Sequence, residues 1–114
     1  MDRAPSLGRR TGPARHEWPE VDEAALVAAR QADYVLSAAR DQGSRRWQDF
    51  FERVPDQLRD DSPRQLRSDA LRVRAAFGSK DSVRDALSPE VTEPLLEAID
   101  RLLKAIARRE AARE

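Results

Sequence analysis

Three features of the sequence predict an all-α fold, a compact and mostly antiparallel bundle of four to five helices with a disordered basic arm at its N-terminus. From Pro19 onward, apolar residues recur at the spacing of a helix face. Proline and capping residues stand where helices are expected to start, and Gly43 and Gly78 stand where two of them are expected to stop. No turn dipeptide lies between alternating apolar runs, as a β-hairpin would require.

Composition divides the chain into a tail and one domain. Its 114 residues leave room for a single hydrophobic core, and the formal net charge is zero although 37% of the residues are charged. Residues 1–17 hold prolines, glycines and arginines but hardly any large apolar side chain, so we expect a flexible basic arm there. Residues 18–107 should form the bundle, and residues 108–114 should form a solvated helix end.

The first predicted helix, helix A, begins at Pro19 and ends near Asp41, before Gly43. One arc of its helical wheel is apolar and consists mostly of alanine. Small side chains let a neighbouring helix come close but bury little surface, so this helix should need larger partners. The arc contains Val21, Ala24, Ala25, Ala28, Ala32, Val35, Leu36 and Ala39.

Two helices are expected in the middle of the chain. Helix B follows the capping residue Ser44 and is interrupted at Pro55, and its apolar residues should anchor the core: Trp47, Phe50, Phe51 and Val54. Helix C has the clearest start, a capping box over residues 62–65 with proline at the first helical position, and it stops at Gly78. Its inner face comprises Leu66, Ala70, Val73 and Phe77.

The C-terminal part should contain a short helix D near residues 80–87 and a long helix E. Helix D would add Val83, Ala86 and Leu87 to the core. Because proline disrupts a helix interior, we place Pro94 in the first turn of helix E and make Thr92 its N-cap. Helix E has the strongest apolar stripe, formed by Leu95, Leu96, Ile99, Leu102, Leu103 and Ile106.

Several classes of protein are excluded by composition. The chain has no cysteine, so it holds no disulfide and no cysteine-ligated zinc or iron–sulfur site. No apolar run is long enough for a signal peptide or a membrane span, and we therefore expect a cytoplasmic protein without a membrane partner.

The sequence offers little that resembles a catalytic or metal site. His16 is the only histidine and falls in the predicted arm, where nothing would hold it beside a substrate. Asp60 and Asp61 are adjacent, but acids just ahead of a helix are expected for electrostatic reasons alone. The glycines lack the spacing of a phosphate-binding loop, and no Glu-x-x-His motif is present. We expect no catalytic, metal-binding or cofactor-binding residues and no small-molecule substrate.

Two surfaces are candidates for binding. On the outer side of helix C, Arg64, Arg67 and Arg74 surround Leu71, an arrangement typical of a protein interface; the alternative is a solvated face with one exposed leucine. On helix A, Val27 and Tyr34 share one side with Ala38. For that second surface we favour the alternative of a second buried face between neighbouring helices.

These observations predict a non-enzymatic protein–protein interaction module, such as an adaptor, a regulator or a small subunit, with self-association as one form of it. The alternative is a helix-turn-helix-like regulator in which helices B and C bind nucleic acid. Arg64, Gln65 and Arg67 would then contact phosphates and base edges. The zero net charge counts against that alternative. The basic arm is expected to be a solvated terminus rather than a binding element.

Overall fold

A computed structural model describes residues 12–78 and 80–112 and shows an all-helical bundle. No strand occurs within these two ranges, and the predicted fold class is confirmed. The elements are a turn of 3-10 helix at Arg15–Glu17 and the helices α1 Pro19–Asp41, α2 Arg45–Phe51, α3 Val54–Asp60, α4 Pro63–Ala75, α5 Val83–Ala86 and α6 Pro89–Ala112.

The two long helices α1 and α6 form the centre of the bundle and run antiparallel, since Trp18 before α1 lies under Arg109 near the end of α6. Helix α4 also runs antiparallel to α6. Its Arg67 pairs with Glu110 at one end, and its Arg74 pairs with Asp100 at the other. The predicted alanine arc of α1 is buried apart from the half-buried Ala24, which lets α1 approach its neighbours closely.

Larger side chains from the other helices fill the space around this alanine surface. The apolar stripe predicted for α6 is buried except for Leu96 and Leu103, which lie at the edge of the core. Ala86, predicted to be internal, is exposed instead, because α5 has little more than one turn. The largest fully buried side chains are Phe51, Leu58, Leu66, Leu95, Ile99, Leu102 and Ile106.

Predicted helix B is two helices, α2 and α3. Pro55 occupies the first turn of α3, where proline needs no N–H partner, so it starts a helix rather than ending the helical segment. Helix α3 was therefore not predicted as a separate helix. It places Leu58 in the core with no exposed surface.

Helix α6 starts at Pro89, three residues before the predicted N-cap. Ser88 is the residue that caps the helix: its Oγ accepts from the Glu90 backbone N–H at 3.2 Å. Thr92 is buried, and its hydroxyl donates to the Ser88 carbonyl at 3.3 Å, so its assignment as N-cap was wrong. Pro94 lies inside the helix, in the second turn.

The predicted boundary of the flexible arm at residue 17 is too late. Arg15 lies in the 3-10 turn and donates from Nη1 to the carbonyls of Leu58 and Asp61, at 3.0 and 2.9 Å. Its Nε donates to the Asp22 carboxylate at 2.7 Å. These contacts join the 3-10 turn to α1 and to the C-terminal end of α3. The predicted arm over residues 1–11 lies outside the described residues.

The solvated helix end predicted over residues 108–114 is described as far as Ala112. Residues 107–112 are helical and exposed. Two of them nevertheless contact the rest of the fold: Arg109 lies 5.9 Å from the Trp18 ring centroid, and Glu110 accepts from Arg67 at 3.2 Å.

Candidate protein-docking groove

Helix α2 carries a cluster of three aromatic rings at helical spacing. Trp47 and Phe50 meet edge to face with ring centroids 5.5 Å apart, and Phe50 and Phe51 meet in the same way at 4.9 Å. Trp47 and Phe51 are buried, but Phe50 is only half-buried. The cluster therefore anchors α2 in the core and leaves part of one ring open to solvent.

Helix α4 forms the opposite wall of a groove in front of this ring. The groove has a volume of about 530 Å³, and its lining is mainly apolar. The residues that line it are Arg46, Trp47, Asp49, Phe50, Arg72, Ala75 and Ala76. The two alanines keep the α4 wall low, and the half-buried Phe50 is the aromatic side chain that remains partly open at the groove. A cleft of this kind can receive an apolar side chain from another molecule.

Two arginines lie across the aromatic walls of the groove. The guanidinium carbon of Arg46 is 4.6 Å from the Trp47 ring centroid, and that of Arg72 is 4.6 Å from the Phe50 ring centroid. Neither arginine forms an ion pair with another residue in the described ranges, and both are exposed. Stacking on a ring orients a guanidinium while leaving its N–H groups available to an acceptor. Asp49 adds one carboxylate at the same groove.

Two arginines of the predicted α4 surface form ion pairs with α6. Leu71 points outward as expected, with 48% of its surface exposed. However, Arg67 is paired with Glu110 at 3.2 Å, and Arg74 is paired with Asp100. Arg64 packs beside Gly12, where an added Cβ would lie 3.6 Å from the Arg64 Cβ. These arginines hold α4 against α6 and the N-terminal segment.

The second predicted surface is exposed. Val27 and Tyr34 have 44% and 55% of their surface open, together with Leu26 at 46%. The favoured interpretation of this side as a second buried face was therefore wrong for Val27 and Tyr34, because none of the helices described covers these two side chains. Ala38 alone is half-buried. Three of the four large apolar residues that are exposed in the described ranges share this helix.

A pair of carboxyl groups, Asp61 and Asp69, lies near the junction of α3 and α4. Asp69 is 8% exposed, and its Oδ2 has no hydrogen-bond partner among the described residues. Burial raises the pKa of Asp69 to about 7, with a further contribution from the hydrogen-bonded carboxyl of Asp61, whereas Arg72 opposes the rise. This pair was not predicted, since the contact of Asp69 with Asp61 depends on the turn between the helices.

The residues proposed for nucleic-acid contact, Arg64, Gln65 and Arg67, are all exposed. Arg67 is engaged by Glu110, while Gln65 is exposed and its backbone N–H donates to Ser62 Oγ at 3.3 Å. Within the described residues, no three acidic, histidine or cysteine side chains are arranged to hold a metal ion. None of the helices described is long and apolar enough to cross a membrane.

Comparison of the chain with protein-family models, curated proteins and solved structures finds no match. The function must therefore be inferred from the surfaces themselves. The sequence contained one signal of the groove, Trp47 and Phe50 at helical spacing beside Arg46, which we interpreted only as a core anchor. The α4 wall could not be recognised, because Arg72 becomes part of the groove only when α2 and α4 pack together.

Proposed function

We propose that this chain is a non-enzymatic protein-interaction module that binds an acidic and apolar segment of a partner protein in the groove between α2 and α4. One observation carries the proposal: two arginines lie on the aromatic walls of an apolar groove, and neither forms an ion pair within the described part of the chain, although the charge of Arg72 also acts on the Asp69 carboxyl. Arginine and tryptophan are among the residues that contribute most to binding at protein interfaces.

The chemistry of the groove selects its ligand. The half-buried ring of Phe50 offers apolar surface, so an apolar side chain of the partner gains by entering the groove. Carboxylates on either side of that side chain would accept hydrogen bonds from Arg46 and Arg72. Hydrogen bonds to charged groups contribute about 1.5–3 kcal/mol each when they replace contacts with water. A basic segment would meet repulsion from the same two guanidinium groups.

The test measures the binding of two sets of short fluorescent peptides by anisotropy. In one set a leucine or phenylalanine is flanked by glutamates, and in the other the glutamates are replaced by lysines. We expect the acidic set to bind the full-length protein and the basic set to fail. The double substitution Arg46→Glu and Arg72→Glu should weaken the binding of acidic peptides by at least about tenfold, a loss of roughly 1.4 kcal/mol.

A matched control separates the groove from general charge. The double substitution Arg40→Glu and Arg108→Glu changes the net charge equally at two exposed positions outside the groove. It should leave peptide affinity within about twofold of wild type at physiological salt, where distant exposed charges are screened. Equal binding of both peptide sets, or equal losses in both double variants, would refute the proposed site.

A further inference from the structure

The molecule itself displays a surface that matches the groove. The outer face of α1 begins with Glu20 and Glu23 and continues with the exposed side chains of Leu26 and Val27. Neither glutamate forms an ion pair with another residue in the described ranges, and both are exposed. This face thus combines carboxylates with apolar side chains, the combination that the groove between α2 and α4 selects.

The spacing of these residues suits a helix lying in a groove. Glu20, Glu23 and Val27 stand at positions i, i+3 and i+7 and so share one side of α1. Anchors at this spacing are the usual means by which an amphipathic helix binds an apolar groove. The two glutamates are about one turn apart and so present their carboxylates on the same side of the helix.

The two surfaces cannot meet within one copy of the chain. Helix α1 has 23 residues and is therefore about 34 Å long. The acidic residues lie in its first two turns, whereas Arg46 and Trp47 follow its last turn. Because this helix is continuous and packed along its length, it holds the acidic face and the groove apart.

We propose that the groove between α2 and α4 receives the Glu20, Glu23 and Val27 face of α1 from a second copy of this chain. This inference rests on the proposed function and names the partner. In the contact, the carboxylates of Glu20 and Glu23 accept hydrogen bonds from Arg46 and Arg72 of the other copy. Leu26 or Val27 covers the open part of the Phe50 ring. Both sides bury apolar surface and pair charges that are otherwise solvated.

The test measures the mass of the full-length protein in solution as its concentration is raised, by sedimentation or light scattering. Wild type should associate, and two charge-reversed proteins should each remain monomeric. One carries Glu20→Arg and Glu23→Arg, which removes the acidic face. The other carries Arg46→Glu and Arg72→Glu, which removes the groove. Circular dichroism confirms that both retain the helix content of wild type.

Mixing gives the decisive measurement. The protein with Glu20→Arg and Glu23→Arg retains an intact groove. The protein with Arg46→Glu and Arg72→Glu retains an intact acidic face. An equimolar mixture of the protein with an intact acidic face and the protein with an intact groove should form a complex containing one copy of each. If the arginines on α1 weaken folding, the substitution Val27→Ser replaces that variant, and it should weaken association by about tenfold or more.

Other results would overturn the inference. One is a wild-type protein that stays monomeric at about 0.5 mM, a concentration at which even a weak contact would be seen. The other is a pair of folded variants that form no complex when mixed. The groove would still be a docking site if acidic peptides bound it through Arg46 and Arg72 while wild type stayed monomeric. Loss of both peptide binding and association would remove the proposed function as well.

Discussion

Asp69 is the residue whose environment differs most from the expectation for its type. A carboxylate on a helix is usually solvated, but this one faces the junction of α3 and α4 beside Asp61. Two carboxyl groups in contact cannot both ionise without mutual repulsion, and burial adds to that cost. Asp69 therefore retains its proton at a pH where an exposed aspartate would have lost it.

This environment predicts how stability depends on pH. The pKa of Asp69 is about 7 in the folded chain and near 4 in the unfolded chain, so folding favours the protonated carboxyl. The contribution of Asp69 to the free energy of unfolding is complete below about pH 4 and is lost as the pH rises through about 7. Asp69→Asn cannot ionise, so wild type should lose stability relative to this variant over that interval. Urea unfolding at several pH values measures the difference.

Asp60→Asn is the matched control for the Asp69 variant. Asp60 is exposed and adjacent to the carboxyl pair, so removing its charge tests the general effect of a lost acid in this region. The Asp60→Asn and wild-type profiles should run parallel. If the Asp69→Asn profile were also parallel to that of wild type, the raised pKa of Asp69 would be refuted.

At the scale of the element, α1 depends on small side chains. Ala25, Ala28, Ala29, Ala32 and Ala39 have no exposed surface, because neighbouring helices pack directly against them. An alanine buries little area of its own, so its role is to permit close approach of the helices that carry the large residues. The large buried side chains of the core thus come mainly from α2, α3, α4 and α6, while α1 determines its shape.

Ala32→Leu should destabilise the protein through steric crowding. No space is open around Ala32, and inserting extra methylenes into a packed core costs about 1–3 kcal/mol. Ser37→Leu introduces the same side chain at an exposed position of the same helix and should change stability by no more than about 0.5 kcal/mol. Chemical denaturation compares the two. A tolerated leucine at position 32 would show that α1 is not packed closely there.

Pro94 is an internal weakness of α6. It has no N–H to donate to the carbonyl one turn before it, at Glu90, and its ring crowds that carbonyl. Pro94→Ala should therefore stabilise the protein by about 1–3 kcal/mol, measured by thermal or urea unfolding. Pro89→Ala is the control, since proline at the first helical position forgoes no bond and its removal should give no such gain. A destabilised Pro94→Ala variant would contradict this account.

At the scale of the whole molecule, the fold class followed from periodicity, but the way the helices meet did not. The start of α4 was predicted correctly because Ser62 and Pro63 are local signals, and Ser62 accepts from the Gln65 N–H as expected. The predicted start of α6 was wrong because Pro94 was placed in a first turn on the general preference of proline alone. Tertiary packing stabilises α6 strongly enough to tolerate an internal proline.

The candidate site could be predicted only in part for the same reason. The exposure of Leu71 followed from the helical wheel, but the ion pairs of Arg67 and Arg74 with α6 depend on which helix lies alongside. Arg72 was not singled out, because its place over Phe50 requires α2 to pack against α4. A sequence defines the faces of each helix. Whether a residue on such a face contacts another helix or remains available for binding depends on the helix that packs alongside.

The position of the two proposed contact surfaces on one molecule limits the assemblies that they can form. A contact made reciprocally between two copies uses both grooves and both acidic faces and closes as a dimer. A contact made once per copy leaves a groove free at one end and an acidic face free at the other, so the assembly extends with concentration. The mass measurement therefore also distinguishes a closed dimer from an open chain.

The location of the two tryptophans gives the protein optical probes at both ends of its central helix. Trp18 precedes α1 and lies beneath Arg109, while Trp47 follows α1 and lies beneath Arg46. Both indoles are 5% exposed, so their emission responds when water reaches them. When Trp47 is replaced, the fluorescence of Trp18 reports on the end of the bundle where α1 begins and α6 ends. When Trp18 is replaced, the fluorescence of Trp47 reports on the groove wall. Local opening at one end can then be separated from global unfolding without an added label.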